Sequence, residues 1–302
     1  MKQITFVVVL LLLGNILFAQ KDTSYWKTGG IIAIRGTQAY FNSWAQGGED
    51  NYGGTGSLQL FANYMKSKVS FENVLLADLG YLVTGKDTNQ QIKKMDDRLE
   101  FNSKFGYSAS PKWNYTAMFN FKTQFFKGYK YPKTSDMYLS DFMSPAYIKL
   151  SLGMDYKPKP YLSIFLSPAT ARWTIVRDDS LAAAGAFGLN RADSAKTGSS
   201  VSKNVRTEAG AFVKIVLTKD IMKNINLNTK LELFSDYLKH PDRIDVDWET
   251  IITMKVNKFF DVQIKTNLLY DDDILIADDA GKNPRPRTQF KEVMGLGFVY
   301  KF

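Results

Sequence analysis

The sequence predicts an all-β chain: a transmembrane antiparallel up-and-down β-barrel of about 12 strands, with short periplasmic turns and long extracellular loops. Three observations carry this reading. Apolar and polar residues alternate with period two along most of the 302 residues. Aromatic residues reach 14% although the mean hydropathy is −0.23, a pairing expected when only every second strand residue must meet lipid. The links between alternating runs are short and long by turns, a segregation that a soluble sandwich has no reason to show.

The first element is a leader. Lys2 precedes an apolar run from Ile4 to Leu13, Gly14-Asn15 breaks it, and small or polar residues follow near Ala19-Gln20. Residues 1–19 read as a cleaved signal peptide, because the run is too short to cross a bilayer. Residues 20–302 form one barrel domain, placed by this export in the outer membrane. Nucleic acid drops out as a partner. The formal charge of +9 points instead to anionic lipid head groups or anionic solutes.

The strands follow. Trp113, Tyr115, Ala117, Phe119, Phe121, Thr123 and Phe125 alternate with Asn114, Thr116, Met118, Asn120, Lys122 and Gln124. The same rhythm runs through 205–217, 225–237 and 244–256. Read throughout, it places strands near 29–40, 54–65, 69–82, 96–108, 113–127, 145–156, 161–176, 205–218, 224–238, 244–257, 259–270 and 288–302. Such runs match the roughly nine to eleven residues that a tilted membrane strand needs. Short turns fall at Lys66 to Lys68, Ala109 to Lys112, Lys157 to Pro160, Lys219 to Lys223 and Asn257-Lys258. The opposite end carries 44–53, 83–95, 128–144, 177–204 and 271–287, with Lys239 to Arg243 as the one short exception. Aromatics gather at both ends: Tyr107, Trp113, Tyr115, Tyr156, Tyr161, Tyr300 and Phe302 by the short turns, and Tyr40, Trp44, Tyr52, Tyr81, Tyr129, Tyr131, Trp173, Tyr237 and Tyr270 by the long loops. Amphipathic rings are stable at the head-group boundary, so two girdles are expected.

The chain ends on alternating Met294, Leu296, Phe298, Tyr300 and Phe302. Phe298, Tyr300 and Phe302 resemble the terminal signal read by the barrel-assembly machinery, which becomes an expected partner beside outer-membrane lipid and lipopolysaccharide.

Several stretches together resemble a family found in Gram-negative Bacteroidota, the domain-of-unknown-function family three-zero-seven-eight. They are Asn42 to Gly48, Asp96 to Glu100, Lys104 to Tyr107, Phe121 to Phe125, Ser144 to Tyr147 and Tyr270 to Asp273. The resemblance implies an outer-membrane protein of unestablished function and brings no catalytic residues.

Composition leaves little room for chemistry. Absence of Cys excludes a disulfide scaffold, a thiolate metal site and a Cys nucleophile, and a single His excludes most multi-His zinc sites. No cofactor is expected. His240, with Asp236, Asp242 and Asp245 near in sequence, is the one candidate base for an outer-membrane lipid or peptide hydrolase, but no Gly-x-Ser-x-Gly elbow accompanies it. Asp271, Asp272 and Asp273 crowd one long loop as weak Ca²⁺ candidates, without EF-hand spacing.

The polar parity of the strands points inward. It includes Arg98, Lys104, Lys122, Lys149, Arg206 and Lys230, faced by Glu100, Glu208 and Glu232. The wider set adds Arg35, Lys68, Lys214, Lys255, Lys265 and Lys291, with Glu72, Asp78, Asp96, Asp155, Asp245, Asp247, Glu249 and Asp261. Interleaved signs fit a salt-bridged, closed interior or a narrow hydrated channel with weak anion preference for a small solute; the closed interior is preferred. Gly185 to Gly188 fits an inward partial plug or a flexible surface loop, the loop being preferred. The functional expectation is a non-enzymatic structural or binding barrel, or a small-solute channel. A hydrolase using His240 and a secreted soluble all-β binding protein are the alternatives.

Overall fold

Long strands that alternate lipid-facing and polar residues must pair on both edges, because an open edge in lipid leaves backbone N–H and C=O groups without partners. The computed structural model describes residues 25–39, 51–85, 90–130, 137–189, 204–276 and 282–302, and in it twelve strands meet this demand by closing into one antiparallel ring. In chain order they are β1 (Trp26–Ala39), β2 (Asn51–Lys66), β3 (Val69–Thr84), β4 (Gln91–Ser108) and β5 (Trp113–Thr123), then β8 (Ala146–Lys159) to β13. A small ribbon of β6 (Gly128–Tyr129) and β7 (Tyr138–Ser140) lies between β5 and β8. The rest of the wall is β9 (Leu162–Ile175), β10 (Val205–Met222), β11 (Ile225–Asp236), β12 (Asp245–Lys255), β13 (Phe260–Tyr270) and β16 (Gln289–Lys301). A second ribbon, β14 (Leu275–Ile276) with β15 (Arg285–Pro286), precedes β16. A one-turn helix α1 (Asp179–Ala183) and a 3-10 turn (Ala186–Gly188) follow β9.

All twelve expected strands are present, and the ring is the one the alternation predicts. The signal-peptide reading falls on residues outside those described, as do Tyr40, Trp44 and Tyr131. The ends differ in instructive places. β5 stops at Thr123 rather than 127, because the Asp97 carboxylate accepts from the Phe125 and Phe126 amides, at 2.8 and 3.0 Å, and pulls the chain out of the sheet. β4 starts at Gln91 rather than 96, its extra turn of pairing accommodated by a register shift beside Gly80 and Tyr81. β10 and β11 run on until only Lys223 and Asn224 remain between them, with Asn224 at φ 66°.

Closure joins the first strand to the last. Ile31 stands opposite Lys301 and Gly36 opposite Leu296. The Gly30 amide donates to the Phe302 carbonyl at 2.8 Å, and the Phe302 amide returns a bond at 3.0 Å. Gly297 is required at this seam: a Cβ there would stand 2.0 Å from the Ile34 carbonyl oxygen. Met294, Leu296, Phe298, Tyr300 and Phe302 all project outward and exposed, giving the lipid face of the terminal strand. Trp113 packs on Tyr156, and Trp26 on Tyr64, in the short-turn girdle.

The inner face packs differently from that of a soluble sandwich. Phe165, Phe212, Phe234 and Met118 form a buried apolar cluster inside the ring. The parity of β9 reverses between Ser167 and Thr170, where the register shifts against both neighbours, so that Arg172 and Thr174 turn inward below Trp173.

Candidate functional site

The candidate site is the lumen, and its first half is a lattice of ion pairs. Each inward strand position lies between two others across the sheet, so long charged side chains there can reach strands that are not their neighbours. Arg98 on β4 donates to Asp78 on β3 at 2.9 and 2.6 Å and to Glu249 on β12 at 2.8 Å. In the twelve-strand ring β4 and β12 are six strands apart in either direction, so the Arg98–Glu249 contact spans the full width of the barrel. Glu100 lies 3.5 Å from Arg98 and 3.7 Å from Lys230. Lys265 on β13 reaches Asp78 and Asp96 at 3.0 and 2.8 Å, and Lys291 reaches Asp96 at 2.8 Å.

Toward the long loops the lattice continues. Lys122 meets Asp247 at 3.1 Å, and Lys149 pairs with Glu232. Arg172 donates to Glu208 at 2.8 Å and to Asp245 at 2.6 Å. Arg206 stands 3.2 Å from the same Glu208, whose side chain is fully buried. Two rings share this region with cations: Lys149 lies over Phe212 at 4.8 Å and the Arg172 guanidinium over Phe234 at 4.2 Å. All nine inward residues singled out from the sequence form ion pairs inside the ring, Lys104 with Asp155 at 2.6 Å, in several separate clusters. Of the wider set, Lys68 and Lys255 form no ion pair among the described residues; Lys68 is exposed in the β2–β3 turn and Lys255 at the short-turn end of β12. Arg172 and the three phenylalanines escaped sequence reasoning. Arg172 is hidden by the β9 parity reversal. Phe212 and Phe234 share the parity of Arg206, Glu208, Lys230 and Glu232, a signal present in the sequence.

At the long-loop end the described residues 176–189 pack together and onto the ring. Asp178 accepts from the Leu181 amide at 2.9 Å and from the Tyr138 hydroxyl at 2.5 Å, tying α1 to the β6–β7 ribbon. The Tyr138 hydroxyl and the helix amide hold the Asp178 carboxyl below its ordinary range. Val176, Ala182 and Leu189 are buried together, with Leu181 and Phe187 against them. At the end of this segment the Gly188 carbonyl accepts from Arg206 at 3.4 Å. Gly188 has φ +75°, and a Cβ on it would lie 2.1 Å from the Arg206 guanidinium, so only glycine fits. The preference for a flexible loop at Gly185 to Gly188 is corrected: the segment is folded onto the lumen because Arg206 offers it a donor from inside.

The acidic loop is also engaged. Asp273 and Asp271 lie 2.8 and 3.7 Å from Arg206, and Asp272 pairs with Arg243. Asp271 and Asp273 thus serve a lumen cation. No set of three or more potential ligands is placed to hold a metal ion among the described residues. Burial, then the neighbouring Asp245 charge, push the Asp271 carboxyl up to about 6, against the pull of Arg172 and Arg206. His240 is exposed, and its ring has no hydrogen-bond partner among the described residues; nearby, the Ser235 hydroxyl donates to the Pro241 carbonyl.

Toward the short turns the lumen is open. A cavity of about 790 Å³ extends from the Arg98 bridge and Phe165 to Pro160, Tyr161, Lys255 and Lys301 at that end. Among the described residues, none of its walls is a long-loop residue. The short turns carry Lys66, Lys68, Lys112, Lys157, Lys159, Lys219, Lys223 and Lys258 against one carboxylate of their own, Asp220, while Lys157 pairs with Glu72 and Asp155 on the flanking strands. Lys66 lies over the Tyr25 ring, Lys219 over Tyr161 and Lys258 over Phe259, at 4.6, 5.0 and 4.7 Å.

The family model described as a protein of unknown function, DUF3078, matches residues 37–129, under a third of the chain. This range holds the first four of the resembling stretches and excludes Ser144 to Tyr147 and Tyr270 to Asp273. No curated protein matches. Among solved structures, an outer-membrane channel from Pseudomonas putida F1 is 12% identical, with 95% of this chain and 98% of that one covered at TM-score 0.41. The translocator domain of the autotransporter NalP from Neisseria meningitidis is 8% identical over 99% and 98%, at 0.36. Outer-membrane phospholipase A from Escherichia coli is 11% identical over 94% and 96%, at 0.34. The described strands of this chain close into a twelve-strand antiparallel barrel.

Proposed function

We propose that this barrel resides in the outer membrane as a non-enzymatic binding and structural barrel, closed toward the long loops and open toward the short turns. The observation that carries this reading is the Arg98–Glu249 contact, a charge bridge across the full width of the lumen, backed by Lys122–Asp247 and Arg172–Asp245 on the long-loop side. A charge pair of this kind is retained only when both partners keep each other satisfied, so neither side chain is free to swing aside for a passing solute. Membrane lipid and lipopolysaccharide surround the outer face, and the terminal Phe298, Tyr300 and Phe302 present the pattern expected by the assembly machinery. Among the described residues His240 is exposed and has no serine or carboxylate at hydrogen-bond distance, which supports a non-enzymatic role.

Proteoliposomes test the reading. Vesicles holding the refolded barrel should retain small sugars and amino acids as well as protein-free vesicles do, and should leave phospholipid intact. Rapid swelling in isotonic solute would sink the closed-lumen reading, and release of fatty acid that is lost in His240→Ala would sink the non-enzymatic one.

A further inference from the structure

The cavity at the short-turn end has a charge imbalance that its own walls do not resolve. Its carboxylates are committed. Asp261 is held by Arg35 through two bonds of 2.8 and 2.9 Å, and Glu72 by Lys157 at 2.8 Å. Asp78, Asp96, Glu100 and Glu249 belong to the Arg98, Lys265 and Lys230 lattice that roofs the cavity. Two lining lysines at the mouth, Lys255 and Lys301, have no carboxylate within ion-pair distance among the described residues. Amide side chains share their wall: Asn226, Asn228, Gln59 and Gln263. The lysine-rich rim outside adds a field of the same sign, which raises the local concentration of anions at the entrance.

We propose that this cavity is a binding site for a small hydroxyl-bearing anion, a phosphate monoester or a polycarboxylate, entering from the short-turn side. Lys255 and Lys301 supply the charge, and the amides supply donors and acceptors to its hydroxyls. Charge-assisted bonds to an ammonium group are stronger than neutral ones, which favours an anion over a neutral solute at this wall. The volume of about 790 Å³ falls within the range of small-molecule sites, roughly 300–1,000 Å³. The site rests on the closed-lumen reading only for retention of the ligand, since the lattice is what stops the anion at the roof.

Calorimetric titration of the full chain, refolded in non-ionic detergent at low ionic strength, tests the site. Glycerol 3-phosphate and citrate are the probes. Both should bind with one-to-one stoichiometry. Lys255→Gln with Lys301→Gln should weaken binding at least tenfold, Lys255→Arg with Lys301→Arg should keep it within about threefold, and Lys223→Gln with Lys258→Gln, outside the cavity, should change it less than twofold. Heat-modifiable mobility on gels shows which variants are folded. No binding by the folded wild type would overturn the proposal, as would equal losses in the cavity and rim variants. A parallel arm adds the protein to vesicles with and without phosphatidylglycerol. Binding that needs the lipid and ignores Lys255 and Lys301 would assign the rim to head groups and also overturn the site. Conductance by a preparation that still binds citrate would break the closed-lumen reading and leave the anion site standing.

Discussion

The two halves of the lumen are built from the same alternating strands and differ in how their charges are matched. On the long-loop side, Arg172 meets Glu208 on the neighbouring strand, Arg172 and Lys122 meet Asp245 and Asp247 on strands three and five positions away, and phenylalanines lie between. On the short-turn side, lysines outnumber carboxylates, and about 790 Å³ stays open. A β-barrel wall fixes which residues face inward, but the size and pairing of those side chains decide whether the interior is filled. Arginine contributes to this difference: Arg98 and Arg172 each bridge two carboxylates with one planar guanidinium, whereas the free lysines of the mouth are single point charges.

The contrast breaks most sharply at Glu208, which serves Arg172 and Arg206 at once. Glu208→Ala leaves two buried guanidinium groups short of a partner and should cost about 3–5 kcal/mol, read as a lower urea midpoint for unfolding in detergent micelles. Next is Phe212→Ala, which hollows the apolar cluster and removes the ring beneath Lys149; a loss of about 3 kcal/mol by the same assay is expected. If either change proves neutral, the long-loop half is not packed as described.

Asp271 sharpens the comparison through pH. Its carboxyl is raised above its unfolded value, so the folded chain binds a proton that the unfolded chain does not between about pH 4 and 6. This group's contribution to stability is therefore present below about pH 4 and is lost as pH rises through 6, opposite in sign to an ordinary salt-bridged carboxylate. Asp271→Asn should flatten the stability profile in that window by on the order of 1–2 kcal/mol. A profile unchanged by the substitution would mean that Asp271 is better solvated than its contacts with Asp245, Arg172 and Arg206 imply. The smallest effect is expected at the open end. The Glu72–Lys157 pair has both side chains more than a third exposed, and Glu72→Ala should cost no more than about 1 kcal/mol.

How much of this was legible beforehand follows from what period two can carry. Alternation along 113–123 or 225–236 states which face meets lipid, and Glu232, Lys122 and Arg98 were placed inward by that rule alone. It holds until a bulge adds a residue. Beyond Pro168 the rule sends Arg172 to the wrong face, and no local signal corrects it. Pairing partners were illegible as well, since Arg98 and Glu249 are 151 residues apart and meet only through closure of the ring. The folding of Gly188 onto Arg206 depends on a donor presented from β10, which a loop read by composition does not reveal. The open cavity was hidden for the same reason: whether Lys255 and Lys301 find partners is decided by which strands face them.

Planar-bilayer conductance tests the central claim most directly. Wild-type barrel should show no stepwise currents in 1 M potassium chloride, a concentration on the order of ten times physiological that screens exposed charges and leaves buried pairs largely intact. The Arg98→Ala, Glu249→Ala double variant, with the bridge removed from both ends, should show small resolved steps. Steady conductance in the wild type, unchanged in the double variant, would contradict a lumen closed by that bridge.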